Sequence, residues 1–330
     1  MKKLELSFAC WNYDRIGALL DGTVCPKGID LNYLNMEVEE TFWRMMRHHE
    51  FDVAELSLSS YLIGKDRGTL PATAIPVFMS RSFRHSGIYV HTGAGIEVPS
   101  DLRGKRVGLP EYQLTACLWI RGILEHEYGV KPSDVHWFSG GEEKPGRIEK
   151  VALDLPKDID IRPINANQTL NRMLEDGEID AFIAPRAPSC FLNGSPNVRR
   201  LFRDYVREEQ MYYQKTHIFP IMHVIVIQDH ILQQHPWVAM NLYQAFVAAK
   251  EKVYEGFRQT AALKVTLPWL MAEVERTKEI MGEDFWPYGI EQNRASLEAA
   301  ILYSYEQGMI HRKIPLDELF VSSTFESFTI

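Results

Sequence analysis

Four arginines, Arg15, Arg81, Arg84 and Arg186, fall in loops that follow extended segments, where open α/β sheets gather their ligands. A guanidinium is a permanent cation with a planar fork that matches a carboxylate, so these residues are candidate anion clamps. Ser59 and Thr115 stand where helices are expected to begin, beside free backbone N–H groups that favour negative charge. The same positions also suit ordinary helix caps. His85, Glu111, His217 and His223 are the acid/base candidates, because imidazole and carboxyl groups can exchange protons when suitably tuned. His85 adjoins Arg84, and that positive neighbourhood is expected to favour a neutral imidazole able to act as a base. His85 is therefore favoured over His223, which reads more readily as a structural strand residue, while Glu111 reads equally as the charge of a first helical turn. Trp11, Tyr13, Phe83 and Tyr112 could stack on a flat ligand or pack in the core. Together these residues predict a cleft for a small carboxylate.

Ligand spacing for a metal is missing. The sequence has 11 histidines but neither H-E-x-x-H nor H-x-H, and Cys10, Cys25, Cys117 and Cys190 form no C-x-x-C pair. Neither a G-x-G-x-x-G nor a Walker A loop occurs, so no metal and no organic cofactor is expected. Scattered cysteines suit reduced core thiols. A net charge of −8 argues against a nucleic-acid partner. The opening MKKLELSFAC is interrupted by Glu5 and reads as a strand rather than a leader. No stretch is long and apolar enough for a bilayer, so a cytoplasmic protein without a membrane partner is expected.

The elements that must position these side chains alternate. Segments 3–9, 29–35, 51–57 and 73–79 read as strands, with helices at 38–49 and 58–68. The pattern restarts with an extended run at 85–93, a strand ending near Pro110, and a helix over 112–129 closed by Gly129. Strand 134–138, helix 167–177 and strand 179–184 continue it. After an extended run at 222–227 the chain turns helical, over 236–257, 268–282 and 290–308. This alternation predicts an α/β protein with parallel sheets. Residues 1–88 and 226–330 form a first lobe, 89–225 an inserted second lobe, with hinge crossings near 85–91 and 222–227. The apolar C-terminal helices suit either a cover for the first lobe or a homo-oligomer interface.

The run DLRGKRVGLPE (101–111), opening a second lobe inside a first, resembles the type II periplasmic-binding-protein fold. More narrowly, FRHSGIYV (83–90), GLPEYQLTACLWIRGIL (108–124), IDAFIAPRAP (179–188) and FPIMHVIVI (219–227) resemble the 4,5-dihydroxyphthalate decarboxylase family over essentially the whole length. That resemblance implies a cytosolic enzyme acting on a dihydroxylated aromatic dicarboxylate, releasing carbon dioxide and leaving protocatechuate. Direct loss of carbon dioxide would leave an unstable aryl carbanion. Protonating the ring carbon first, helped by electron donation from a para hydroxyl, avoids it. The alternatives are a cytosolic solute-binding or sensor protein for an aromatic acid, and another lyase on the same fold.

Overall fold

The computed structural model describes residues 2–325. It divides into two units, each with its own sheet. Unit 1 comprises residues 1–81, 221–297 and 314–330, and unit 2 residues 82–220 and 298–313. The chain therefore passes between units at 81/82 and 220/221, just ahead of the crossings expected near 85–91 and 222–227. Segment 298–313 is a second excursion that the sequence pattern did not reveal.

Unit 1 is built on β1 (Leu4–Cys10), β2 (Ile29–Asn35), β3 (Val53–Ser57), β4 (Ala72–Arg81) and a strand that arrives much later, Ile221–Gln228. Its strand order is β2-β1-β3, then the late strand, then β4. β1 runs parallel to β2 and β3, whereas the late strand lies antiparallel to both β3 and β4. The sheet is thus mixed, a correction to the wholly parallel arrangement expected. All five residues of β3 are buried, as befits a central strand covered on both faces. Helix Val38–His48 buries Phe42 and Met45 at helical spacing and ends at His49 in the left-handed region, φ 49°. Helix Leu58–Asp66 starts directly from the end of β3.

Unit 2 contains β5 (Ile88–His91), β6 (Arg106–Leu109), β7 (His136–Ser139), β8 (Ile161–Pro163), β9 (Ala181–Ile183) and β10 (Val198–Arg200). Ile221–Gln228 is accordingly β11. The order is β10-β5-β9-β6-β7-β8. β8, β7, β6 and β9 run parallel, while β5 opposes β9 and β10 opposes β5. Helix Thr115–Tyr128 buries ten consecutive residues from Thr115 to Leu124 and closes on Gly129, whose φ of 67° suits glycine. No helix among the described residues is long and apolar enough to cross a membrane.

Candidate functional site

In unit 1 the loop after β1, the end of β3 and the first residues of β11 meet at one sheet edge. Their cross-strand register sets Phe8 and Ala9 of β1 against Val53 and Ala54, and His223 of β11 against Ser57. The pairing of β11 with β4 is irregular on both sides of His223, between Ile221 and His223 and again before Ile225. Such an irregularity bends a strand locally and re-aims a side chain. His223 Nδ1 lies 2.6 Å from Oε1 of Glu55, the buried carboxylate at the centre of β3. The same oxygen accepts the Tyr13 hydroxyl at 2.6 Å. Oε2 accepts the Trp11 backbone N–H at 3.1 Å and the Cys10 thiol at 3.5 Å. The Phe42 ring packs edge-on to the imidazole, with centroids 4.8 Å apart.

Electrostatics follow from this packing. Burial alone would raise the Glu55 carboxyl, but the charge of His223 and the bonds from His223, Tyr13 and Trp11 outweigh it and hold the group below its ordinary value. Burial, and then the Glu55 charge, push the Tyr13 phenol far above its usual range, so it stays a donor. The His223 side chain is 16% exposed and Glu55 fully covered, so the pair presents an accessible imidazole backed by a hidden carboxylate. Glu55 is not among the residues that the sequence pattern points to. Its signal was an acidic residue inside the apolar run 51–57, where a charge survives burial only with partners.

Three more predicted residues belong to unit 1. Ser59 is buried in the first turn of helix Leu58–Asp66, its hydroxyl 3.2 Å from that of Ser57. Arg15 bonds the Met79 carbonyl through Nε at 2.8 Å and Asp14 at 2.9 Å, with its guanidinium over the Tyr13 and Trp286 rings. Arg81 is buried and donates to the Asn293 side chain and, at 3.2 Å, to the Pro287 carbonyl. These two arginines spend donors on tying β4 to its neighbours, whereas their positions in the sequence suggest an anion clamp.

The others lie in unit 2. His85 is buried among the Phe202, Tyr212 and Tyr128 rings, and neither ring nitrogen has a hydrogen-bond partner. Burial lowers its pKa to about 4. The cause is desolvation rather than the neighbouring arginines named in the sequence analysis, and the ring is closed off from solvent. Glu111 is buried and held by Arg147 at 2.6 Å, the Lys150 ammonium at 3.4 Å and the Gln113 amide at 2.9 Å. It therefore anchors the segment around 147–150, a structural use of its charge. His217 is exposed and caps helix Tyr205–Thr216 in the left-handed conformation, φ 54°. Tyr112 is buried beneath Arg121, whose guanidinium stands 3.6 Å from its ring centroid. Thr115 is buried at the first position of its helix. Arg84 is drawn down to about 10 by burial, and Arg186 is exposed in the loop after β9. Glu149, unnoticed in the sequence, accepts the Tyr112 backbone N–H and is pushed up to about 7 by burial.

Among the described residues, one group has ligand atoms close enough to share a metal ion: Glu125, His126 and Glu306 of unit 2, within 4.8 Å of one another. There His126 Nε2 is already bonded to Glu306 at 2.7 Å. Cys10, Cys117 and Cys190 are buried thiols and Cys25 is exposed, all unbridged.

Known proteins resemble the chain at two depths. A 4,5-dihydroxyphthalate decarboxylase of Comamonas testosteroni is 43% identical over 330 residues, covering 100% of both chains. The chain belongs to the 4,5-dihydroxyphthalate decarboxylase family. A second member, from Pseudomonas putida, is 50% identical over 204 residues, 62% of this chain and 79% of that one. A family described as the periplasmic substrate-binding protein of a phosphonate ABC transporter matches residues 22–182. The periplasmic sulfonate-binding protein SsuA of Methylobacillus flagellatus KT superimposes with a TM-score of 0.56 at 11% identity, over 97% of this chain and 92% of that one. The chain thus carries a two-lobed, type II periplasmic-binding-protein-like fold.

Proposed function

We propose that this chain is a carboxy-lyase that converts 4,5-dihydroxyphthalate to protocatechuate and carbon dioxide, with His223 as the group that exchanges a proton with the substrate. Supporting the activity is 43% identity over the full length to a decarboxylase of that name. The observation that carries the chemical assignment is the His223–Glu55 pair at the ligand edge of the unit 1 sheet. A positioned imidazole supplies ~10²–10⁴ in rate as an acid or base. The His223 imidazolium gives its proton to the ring carbon bearing the departing carboxylate, and electron density from the para hydroxyl supports the new C–H bond. The C–C bond then breaks, its electron pair restores the aromatic ring, and carbon dioxide leaves. The net reaction consumes one proton, which water returns to the imidazole.

The test is direct. Purified protein is incubated with 4,5-dihydroxyphthalate while protocatechuate and carbon dioxide are followed. Expected is stoichiometric appearance of both. Tight binding with the ligand recovered unchanged would replace this reading with that of a solute-binding protein.

A further inference from the structure

An ionised carboxylate with no exposed surface persists only where donors replace its water. Glu55 has such donors on both oxygens, and they come from separate elements: Cys10 at the end of β1, Trp11 and Tyr13 in the loop after it, and His223 on β11. Three of them, the thiol, the phenol and the backbone N–H, contact no reacting atom in the scheme above. Their effect is to keep Glu55 ionised and fixed in place for the fourth.

We infer that Glu55 is a positioning residue that keeps the Nδ1 proton on His223 in both of its protonation states, so that Nε2 alone exchanges protons. This deepens the decarboxylase reading and rests on it for the identity of the reaction. An ionised carboxylate is an acceptor and nothing else, so the hydrogen of the 2.6 Å contact belongs to Nδ1. Neutral His223 is then the Nδ1–H tautomer with its lone pair on Nε2, the opposite of the form that free imidazole prefers in water. The edge of Phe42 against the ring, and the broken β11–β4 register at His223, fix the plane of the imidazole as Glu55 fixes its rotation. Tyr13, 3.5 Å from Nδ1, retains its own proton and donates it to Glu55. In the proton-transfer step the Nε2–H bond breaks as the ring C–H bond forms. The imidazole becomes neutral, and Glu55 remains a carboxylate throughout. The titratable groups facing His223 are Glu55 and Tyr13, with Cys10 reached through Glu55 and Arg15 supplying the positive charge felt by both Cys10 and Tyr13.

The experiment uses the full chain labelled with ¹⁵N-histidine. Two-bond ¹H–¹⁵N spectra report the tautomer of each imidazole, and loss of one pattern in His223→Gln assigns His223. Expected for the unmodified, substrate-free protein is a protonated Nδ1 at every pH, with Nε2 alone changing through the titration. An Nε2–H tautomer in the neutral form would overturn the inference, whether or not the chain proves to be a decarboxylase. Kinetics give the second arm. Glu55→Gln should lower kcat by ~10-fold or more with KM nearly unchanged, the size of effect seen when the group that orients an imidazole is lost. Glu55→Asp should recover part of that loss. A Gln variant with unaltered kcat, or one that changes KM alone, would refute the positioning role.

Discussion

His223 keeps part of its ring open to solvent and has a carboxylate at Nδ1, whereas His85 has neither an opening nor a hydrogen-bond partner. The sequence ranks them the other way, because adjacency to Arg84 is visible in one dimension and contact with Glu55, 168 residues away, is not. The structure turns each into a measurable expectation. His223→Gln keeps the approximate size and polarity of the side chain but cannot exchange a proton, so kcat should fall by ~10²–10⁴-fold while the protein stays folded. Steady-state kinetics beside a thermal melt check both halves of that statement. His85 should reveal itself in stability instead. Its folded value lies near 4, below the 6.5 of a free side chain, so between those pH values the unfolded chain binds more protons than the native one. Stability should therefore fall as pH drops from 6.5 to about 4 and this contribution should then level off, at a total of ~3 kcal/mol given 1.36 kcal/mol per pH unit. His85→Phe keeps an aromatic ring in the cage and removes the titration. Urea unfolding at pH 7.5 and 4.5 should show the unmodified protein losing more stability than the variant, and parallel losses would contradict the assignment.

At the level of elements, legibility followed hydrophobic period and length. The strand at 3–9 and the helices over 112–129 and 236–257 have enough residues to display a repeat, and they appear as β1, Thr115–Tyr128 and Trp237–Phe257. β8 and β10 span three residues each, too few for any period. Helix Tyr205–Thr216 buries Tyr212 and little else, so its sequence lacks an apolar stripe. The direction of β11 was equally hidden, because alternation along a strand says nothing about which way its neighbours run. Helix packing supplies a prediction whose sign is decided by contact rather than propensity. Gly122 lies inside helix Thr115–Tyr128, where alanine would ordinarily gain up to ~1 kcal/mol. Here a Cβ would come within 2.1 Å of the Tyr303 ring, which is itself packed edge-on against Trp119. Gly122→Ala should therefore destabilise by ~1–3 kcal/mol, as overpacking of a close-packed interior does. A lowered melting temperature is the expected observation, and a raised one would mean that the two helices separate more easily than their packing implies.

At the scale of the molecule, the type II architecture was legible in the order of its segments, whereas its chemistry was legible mainly through the family resemblance. The physical reason is that the fold serves anion-binding proteins as well as decarboxylases, so architecture alone does not imply bond breaking. What distinguishes the two is how the bound ring is activated, and that can be read from the product. In ring protonation, the carbon that receives the proton is the one that a para hydroxyl enriches in electrons. 4-Hydroxyphthalate separates the alternatives, because its single hydroxyl is para to one carboxylate-bearing carbon and meta to the other. If His223 protonates the activated carbon, the carboxylate para to the hydroxyl is lost and the product is 3-hydroxybenzoate. Loss of the other carboxylate would give 4-hydroxybenzoate. In D₂O the vacated carbon should carry one deuterium, since the proton on Nε2 exchanges with solvent between turnovers. Phthalate, with no hydroxyl to donate electrons, should be turned over at least ~10²-fold more slowly, comparable to losing one positioned acid–base contribution. Formation of 4-hydroxybenzoate, or turnover of phthalate at a similar rate, would show that the para hydroxyl is not the electron source and that the ring is activated in another way.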